Sequence, residues 1–397
     1  MTSIRRVTYL LGAILAIVIL PWLGAYIHHG GHFPSGYFSY PPLAPGYKAP
    51  FDPFLFGLVS VVFALVAAVY FFPQLFGFQK VPQPARPPVR KVGFPIWFWV
   101  GLVAWGSAMF LLWMKSTRPV WLLHWSDLPL FWGFTLMIDG WVYVRQGGRS
   151  LVSEVPQEVV GIGASSVLGW MVFEYLNFFI DDNWYYPWGN IVSREMFLLY
   201  AIVISSGLLP LAFVWYSLFK TIPALRNRFT LGRKFVLPGW AKNVILVSSL
   251  TGLLGAGLFP DYLFFSLWLS PAVLLAVVLN KAKVWTPLDS IGQGNWTPTL
   301  LAALTYLAEG VCIEGQNYFS AVHDGQKVLF TEAPAYWQYS LPYVNAYHLF
   351  EMPILGFLGY MPFGIYCWVW WIAFATIQGI PSRFYKEELF DGNVVDQ

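Results

Sequence analysis

The chain has 397 residues, of which 57% are hydrophobic and only 11% charged, with a formal net charge of +3. That balance excludes a water-soluble globular domain and leaves no basic surface for a nucleic acid. The net charge itself says little about partners, because the charges are sorted along the chain.

Met1 to Arg6 precede an apolar run that reaches Ile27. The run is longer than a signal-peptide core and lacks a small-x-small cleavage site, so it reads as an uncleaved first span. Similar runs of about 20 residues, each long enough to cross a hydrocarbon core as a helix, recur to the end of the chain. Ten spans are expected: 7–27, 55–77, 95–114, 128–144, 159–180, 196–218, 243–259, 262–280, 298–319 and 350–374. With the N-terminus in the cytoplasm, eighteen Lys and Arg residues fall inside. Only Lys48, Lys115, Arg118, Arg194 and Lys327 fall outside, which is the positive-inside asymmetry.

The inner links are short and basic, with a stiff proline-rich connector from Val81 to Val89. The outer links, His32 to Pro53, Asp181 to Asn190 and His323 to His348, are rich in Trp, Tyr, Pro and Gly. Most of the 21 tryptophans fit an interfacial belt. Cys312 and Cys367 fall inside spans and give neither a disulfide framework nor a metal-type spacing.

A six-residue pattern, Glu-x-x-Asn-aromatic-Phe, occurs twice, at Glu174 to Phe179 and at Glu314 to Phe319. Each copy closes an apolar stretch and leads through a Trp/Tyr cluster to Glu-Met, at Glu195-Met196 and at Glu351-Met352. Pro95-Ile96-Trp97 matches Pro238-Gly239-Trp240, and Trp132 matches Trp268, at offsets of 143 and 136 against 140 for the Glu pair. One duplicated four-helix unit accounts for these offsets. Four is an even number of crossings, so the copies enter from one side and are expected to be related by an axis along the membrane normal. The expected fold is therefore an all-α integral membrane protein. Two N-terminal spans with their outer loop (1–91) precede the repeats at 92–234 and 235–378, and a cytoplasmic tail (379–397) follows.

The copies differ mainly after the Asn. Asn177 to Trp184 is 7 residues, whereas Asn317 to Trp337 is 20. The extra segment carries His323, Asp324, Lys327 and Glu332 and reads equally as a wall over a site or as a surface loop.

Helical spacing sets Trp170, Glu174 and Asn177 on one face, and Gly310, Glu314 and Asn317 on another. Glu174 lies roughly 22 Å from the inner end of its span, at 1.5 Å per residue. Glu195 and Glu351 are expected to open the following spans at the same outer boundary. Four acids (Glu174, Glu195, Glu314, Glu351) and two amides (Asn177, Asn317) then gather at the outer mouth, with Trp184, Tyr186, Trp337 and Tyr339 as walls. Carboxyl groups are costly inside a bilayer, so matched pairs suggest acid–base work. Buried Glu and Asn also serve as hydrogen-bonding glue between helices, and that reading stays open. Glu309 and Asp139 are further buried acids without an evident duplicate.

His323 and His348 with the glutamates approach a di-metal ligand count, but the first copy has no histidine, and no metal or other cofactor is expected. His28, His29 and His32 read as a polar loop because Gly30 and Gly31 interrupt any helix. His124 reads as interfacial. Asn295-Trp296-Thr297 matches a glycosylation acceptor by letters only, on the inner side.

Trp184, Tyr186 and Glu195, then Trp337, Tyr339 and Glu351, repeat a Trp-x-Tyr…Glu pattern that resembles the membrane-type lycopene cyclases. That resemblance implies proton-initiated cyclisation of an isoprenoid by carboxylic acids within the membrane. It covers about a quarter of the chain, and four spans per unit and a single Glu in place of an acidic pair depart from it. The stretch at 173–177 and Glu351-Met352-Pro353 also resemble a bacterial polytopic membrane protein family, which implies an inner-membrane location and brings no activity.

The leading expectation is an acid–base enzyme acting on a membrane lipid or isoprenoid. A proton- or cation-coupled transporter or channel is the alternative, although few polar residues besides Asp139 lie in the inner half. A non-catalytic subunit with protein partners in a membrane complex is the third.

Overall fold

A computed structural model of the chain describes residues 3–46, 50–81, 89–115, 119–181, 183–325 and 327–385. Lys48, Arg86, Arg118, Lys386, most of the 81–89 connector and the tail beyond 385 lie outside the described residues.

Ten longer helices follow in chain order among the described residues: α1 (Ser3–His28), α2 (Pro53–Phe71), α3 (Ile96–Met114), α4 (Asp127–Arg145), α5 (Pro156–Asn177), α6 (Arg194–Lys220), α7 (Gly239–Leu258), α8 (Ser266–Lys281), α9 (Thr297–Phe319) and α10 (Tyr360–Gln378). Seven of them, α1, α2, α3, α5, α6, α7 and α10, are long and apolar enough to cross a membrane, counting the 3₁₀ turns that flank α5 and α10. The chain is thus a mostly helical membrane protein. α8 is apolar but has only 16 residues, while α4 and α9 carry acids within their length.

Local chemistry explains the breaks. α6 tightens into a 3₁₀ turn at Ser205–Gly207. Pro210, just beyond it, has no N–H to offer the preceding turn. α10 starts later than the sequence predicts. Residues 348–353 form a small hairpin instead of helix, followed by a 3₁₀ turn at Ile354–Gly359. Pro353 cannot donate to a helix, and Gly356 and Gly359 disfavour one. Glu351 therefore sits in a β-turn, and the expectation that it opens the last helical span is overturned.

One pairing order runs twice. α3 packs on α4, α4 on α6 and α5 on α6; α7 packs on α8, α8 on α10 and α9 on α10. Between the two sets, α5 packs on α10 and α9 on α6. α1 crosses α7 at small residues: a Cβ on Gly24 would lie 2.0 Å from the Leu254 carbonyl oxygen, and one on Gly257 would lie 2.1 Å from that of Pro21. Such backbone contact is how helices associate where lipid removes the hydrophobic drive.

Among the described residues six short strands lie in the loops: β1 (Trp184–Tyr185), β2 (Val322–Asp324), β3 (Lys327–Phe330), β4 (Gln338–Tyr339), β5 (His348–Leu349) and β6 (Met352–Pro353). β2 pairs with β3 and β5 with β6, while β1 pairs antiparallel with β4, joining the two Trp-x-Tyr segments.

Candidate functional site

The two asparagines set the geometry. At the end of α5, the Asn177 amide donates to the Trp184 carbonyl at 2.7 Å and accepts from the Trp184 N–H at 3.4 Å. At the end of α9, Asn317 makes the same pair with Trp337, at 2.9 and 3.1 Å. Each clamp satisfies a backbone N–H and C=O that would otherwise be stranded in a water-poor region. Each also fixes where the following Trp-x-Tyr strand leaves its helix. The strands then pair across the molecule, with Trp184 opposite Tyr339 and Tyr185 opposite Gln338. The Tyr185 hydroxyl donates to the Gln338 amide oxygen at 3.2 Å.

This framework aims donors at two buried carboxyls. Glu174 Oε1 accepts from the Tyr186 hydroxyl at 2.5 Å and from the Trp170 indole at 3.0 Å. Glu314 Oε1 accepts from Tyr339 at 2.6 Å, from the Trp337 indole at 3.3 Å and from the Tyr360 hydroxyl. Trp337 Nε1 also donates to the Tyr339 hydroxyl at 2.9 Å. In both acids Oε2 is buried and has no partner among the described residues. If ionised, that oxygen would carry uncompensated charge; if protonated, it holds an unused O–H.

A cavity of about 880 Å³ runs beside this constellation. Glu174, Trp184, Tyr186, Trp337, Tyr339 and Tyr360 line it, and the rest of its wall is predominantly apolar. Glu314 stands behind its three donors.

Two of the predicted acids are placed elsewhere. Glu195 lies exposed in the first turn of α6, two residues after Ser193, which caps that helix by accepting from the Met196 N–H at 3.2 Å. Its side chain is in solvent and takes no part in lining the cavity described above. Glu351 is buried in a second cluster. It accepts from His323 Nε2 at 2.7 Å, from the Tyr336 hydroxyl, and from the Gln338 amide at 3.3 Å. Tyr336 lies outside the spans, and burial followed by the neighbouring Glu351 charge pushes its hydroxyl pKa far upward. The inserted segment is the β2–β3 hairpin that delivers His323, whose ring stacks on Tyr318 at 4.0 Å.

The remaining acids differ again. Asp139 is structural: it accepts from Ser150 Oγ at 2.7 Å, Trp97 Nε1 at 3.0 Å and the Val152 N–H at 3.1 Å, tying α3, α4 and the next loop together. Glu309 is fully buried in α9, with the Tyr306 hydroxyl beside its carboxyl. Asn295 caps a local turn by accepting from the Thr297 N–H at 3.1 Å. Among the described residues no three His, Cys, Asp or Glu side chains are grouped to hold a metal ion.

Sequence reasoning missed Tyr360. Its signal lay in Gly310, one turn before Glu314: a Cβ there would sit 2.5 Å from the Tyr360 ring. Comparisons of the chain with protein-family models, with curated proteins and with solved structures return no match.

Proposed function

We propose that this chain is a membrane enzyme that performs acid–base chemistry on a lipid or isoprenoid, with Glu174 as the acid and base. The observation that carries this reading is the apolar cavity with the Glu174 carboxyl on its wall, beside Tyr186 and Trp170 as donors. Protonation of a ligand double bond by Glu174 leaves a carboxylate that the Tyr186 hydroxyl and the Trp170 indole stabilise. The cationic intermediate faces the rings of Trp184 and Trp337. Loss of a proton from that intermediate back to Glu174 completes a redox-neutral rearrangement. Glu314 acts through Tyr339 and Tyr360, whose hydroxyls it orients, and Asn177 and Asn317 hold the two tryptophan segments in place. The cyclase resemblance rests on its motif alone and agrees with this chemistry.

The same reading takes the ten helices as ten spans with both termini cytoplasmic in a bacterial inner membrane. It takes the two sets of four helices as copies of one unit, which the shared pairing order and the matched Asn–Trp clamps support. Mass spectrometry of lipids from cells carrying the wild-type chain or Glu174→Gln tests it. A lipid species that changes with the wild type and not with the folded variant is expected. Identical lipid profiles alongside proton or cation flux in proteoliposomes would replace the enzyme with a transporter.

A further inference from the structure

The cavity has an unusual outer wall. Leu55, Leu58, Val62, Val66, Val69 and Tyr70, a single face of α2 from its first turn to its last, all line it. Fifteen steps of 1.5 Å make that face roughly 22 Å long. On the opposite side the lining residues of α9 run from Leu300 to Ile313, roughly 20 Å. One leaflet contributes only about half of a hydrocarbon core roughly 30 Å thick, so the cavity is longer than a leaflet.

α2 is hydrogen-bonded to the bundle at its ends and packs between them through partly buried residues such as Val59 and Phe63. At one end the Asp52 N–H donates to the Tyr343 carbonyl at 3.2 Å. At the other the Tyr70 hydroxyl donates to the Leu300 carbonyl at 2.7 Å, and Arg228 Nε donates to the Tyr70 carbonyl at 2.9 Å. No residue of α2 is buried, whereas Tyr306 and Tyr360 on the far wall are 1% and 8% exposed. A helix that faces lipid on one side and an apolar cavity on the other gains little by closing, because lipid tails are as apolar as its own side chains. Only dispersion contacts of about 0.1–0.2 kcal/mol per atom pair resist a chain that takes their place.

We infer that the cavity is a slot for one long, flexible hydrocarbon chain, acyl or polyprenyl, which slips in sideways from the bilayer past α2. The chain lies along α2 with its reactive end beside Glu174 and its tail toward Leu300. This deepens the proposed site and rests on that reading only for which end of the chain reacts. Glu174 belongs to the end of the cavity nearest the Trp184 and Trp337 strands, and Tyr70 with Leu300 closes the other. A soluble metabolite has no use for a cavity of this length and polarity.

The test uses the full chain in phosphatidylcholine vesicles containing either a phosphatidylcholine with a diazirine on its acyl chain or a diazirine-bearing polyprenyl alcohol. After irradiation, the labelled residues are mapped by peptide mass spectrometry. Label is expected on Tyr306 and Tyr360, which bulk lipid does not reach, and the probe that gives more of it names the chain type. Val66→Trp, on the lining face, is expected to reduce that label about five-fold or more, since an indole fills the space of the chain. Leu65→Trp, next to it on the lipid face, leaves the label unchanged. Ala303→Trp narrows the slot from the α9 wall and gives the same loss independently of α2. Label confined to outward residues such as Val103, or label on Tyr306 that neither Val66→Trp nor Ala303→Trp reduces, overturns the slot. Labelling needs no turnover, so Glu174→Gln keeps it. A labelled slot without any change in cellular lipids refutes the chemistry and leaves the slot standing.

Discussion

The Glu174 and Glu314 sites reach one end by different residues. Position 170 is a tryptophan whose indole donates to Glu174, while position 310, the same 140 residues from it as Glu314 is from Glu174, is a glycine. The glycine leaves room for the ring of Tyr360, which comes from α10 and donates to Glu314 in place of the indole. The indole of Trp337 donates to its acid at 3.3 Å and also to the Tyr339 hydroxyl at 2.9 Å. What is common to both sites is therefore donation from a tyrosine hydroxyl and an indole to a buried carboxyl oxygen, with the indole drawn from different positions. An acid within a bilayer is tolerable only with such partners, so a donor lost at one position has to be supplied from another.

The largest expected effect comes from forcing the first arrangement onto the second site. Gly310→Trp places a side chain where the Tyr360 ring stands, and such overpacking costs about 1–3 kcal/mol before the lost Tyr360 hydrogen bond is counted. That bond, made to an acid, adds about 1.5–3 kcal/mol if the acid is charged. The folded yield of Gly310→Trp, followed by size-exclusion chromatography in detergent, is expected to fall sharply. Adding Tyr360→Ala removes the clash and leaves the new indole within reach of Glu314, so the double variant recovers part of the yield. If the double variant is no better than Gly310→Trp alone, the two residues are not exchanging one role.

The Asn clamps come next. Asn177→Ala strands the Trp184 N–H and C=O, and each buried unsatisfied group costs about 1–3 kcal/mol. A loss of about 2–6 kcal/mol is expected, with a lower detergent melting temperature and increased proteolysis in the loop after α5. Asn317→Ala is expected to lose less in folding and more in placement. Its strand is also held by the inserted hairpin, through the His323–Glu351 pair at 2.7 Å and the Gln338–Glu351 contact. Equal losses from both substitutions would show that the hairpin contributes nothing to the second site.

Much of this was legible in the sequence, for a physical reason. The apolar helices long enough to cross a membrane, the helical face shared by Trp170, Glu174 and Asn177, and the repeated Trp-x-Tyr all follow from short-range spacing, which helix geometry converts directly into position. Glu195 and Glu351 were misplaced because spacing alone does not say where a helix starts. One residue of error at a cap points a side chain to solvent, and Pro353 with two glycines turned the other expected helix start into a hairpin. Tyr360 was missed because its contact to Glu314 spans 46 positions, and a glycine announces space without naming what fills it. The wall formed by α2 was equally unreadable: a uniformly apolar helix looks the same facing lipid or facing a cavity.

The smallest expected effect contrasts these shielded acids with a solvated one. Glu154, in the one-turn helix Leu151–Glu154 outside the spans, accepts from Arg149 Nε at 2.6 Å and from Arg383 at 2.5 Å. Partial burial works to raise its pKa, but the hydrogen bonds and charges of Arg149 and Arg383 outweigh it and hold the carboxyl below its ordinary value. A carboxyl whose pKa is depressed on folding contributes stability that is present above its unfolded pKa and lost as pH falls through the folded one. Since Glu154 and both arginines are partly exposed, about 0–1 kcal/mol is at stake, and salt reduces it further. Melting temperatures of the wild type and Glu154→Gln are therefore expected to differ slightly at pH 7 and to converge on acidification below the ordinary glutamate range. The tie joins the chain after α10 to the loop before α5, so its release is expected to loosen that edge and to leave the Glu174 and Glu314 sites intact. A wild type less stable than Glu154→Gln at pH 7, with the difference vanishing on acidification, would mean that burial outweighs the arginines and holds the Glu154 carboxyl up.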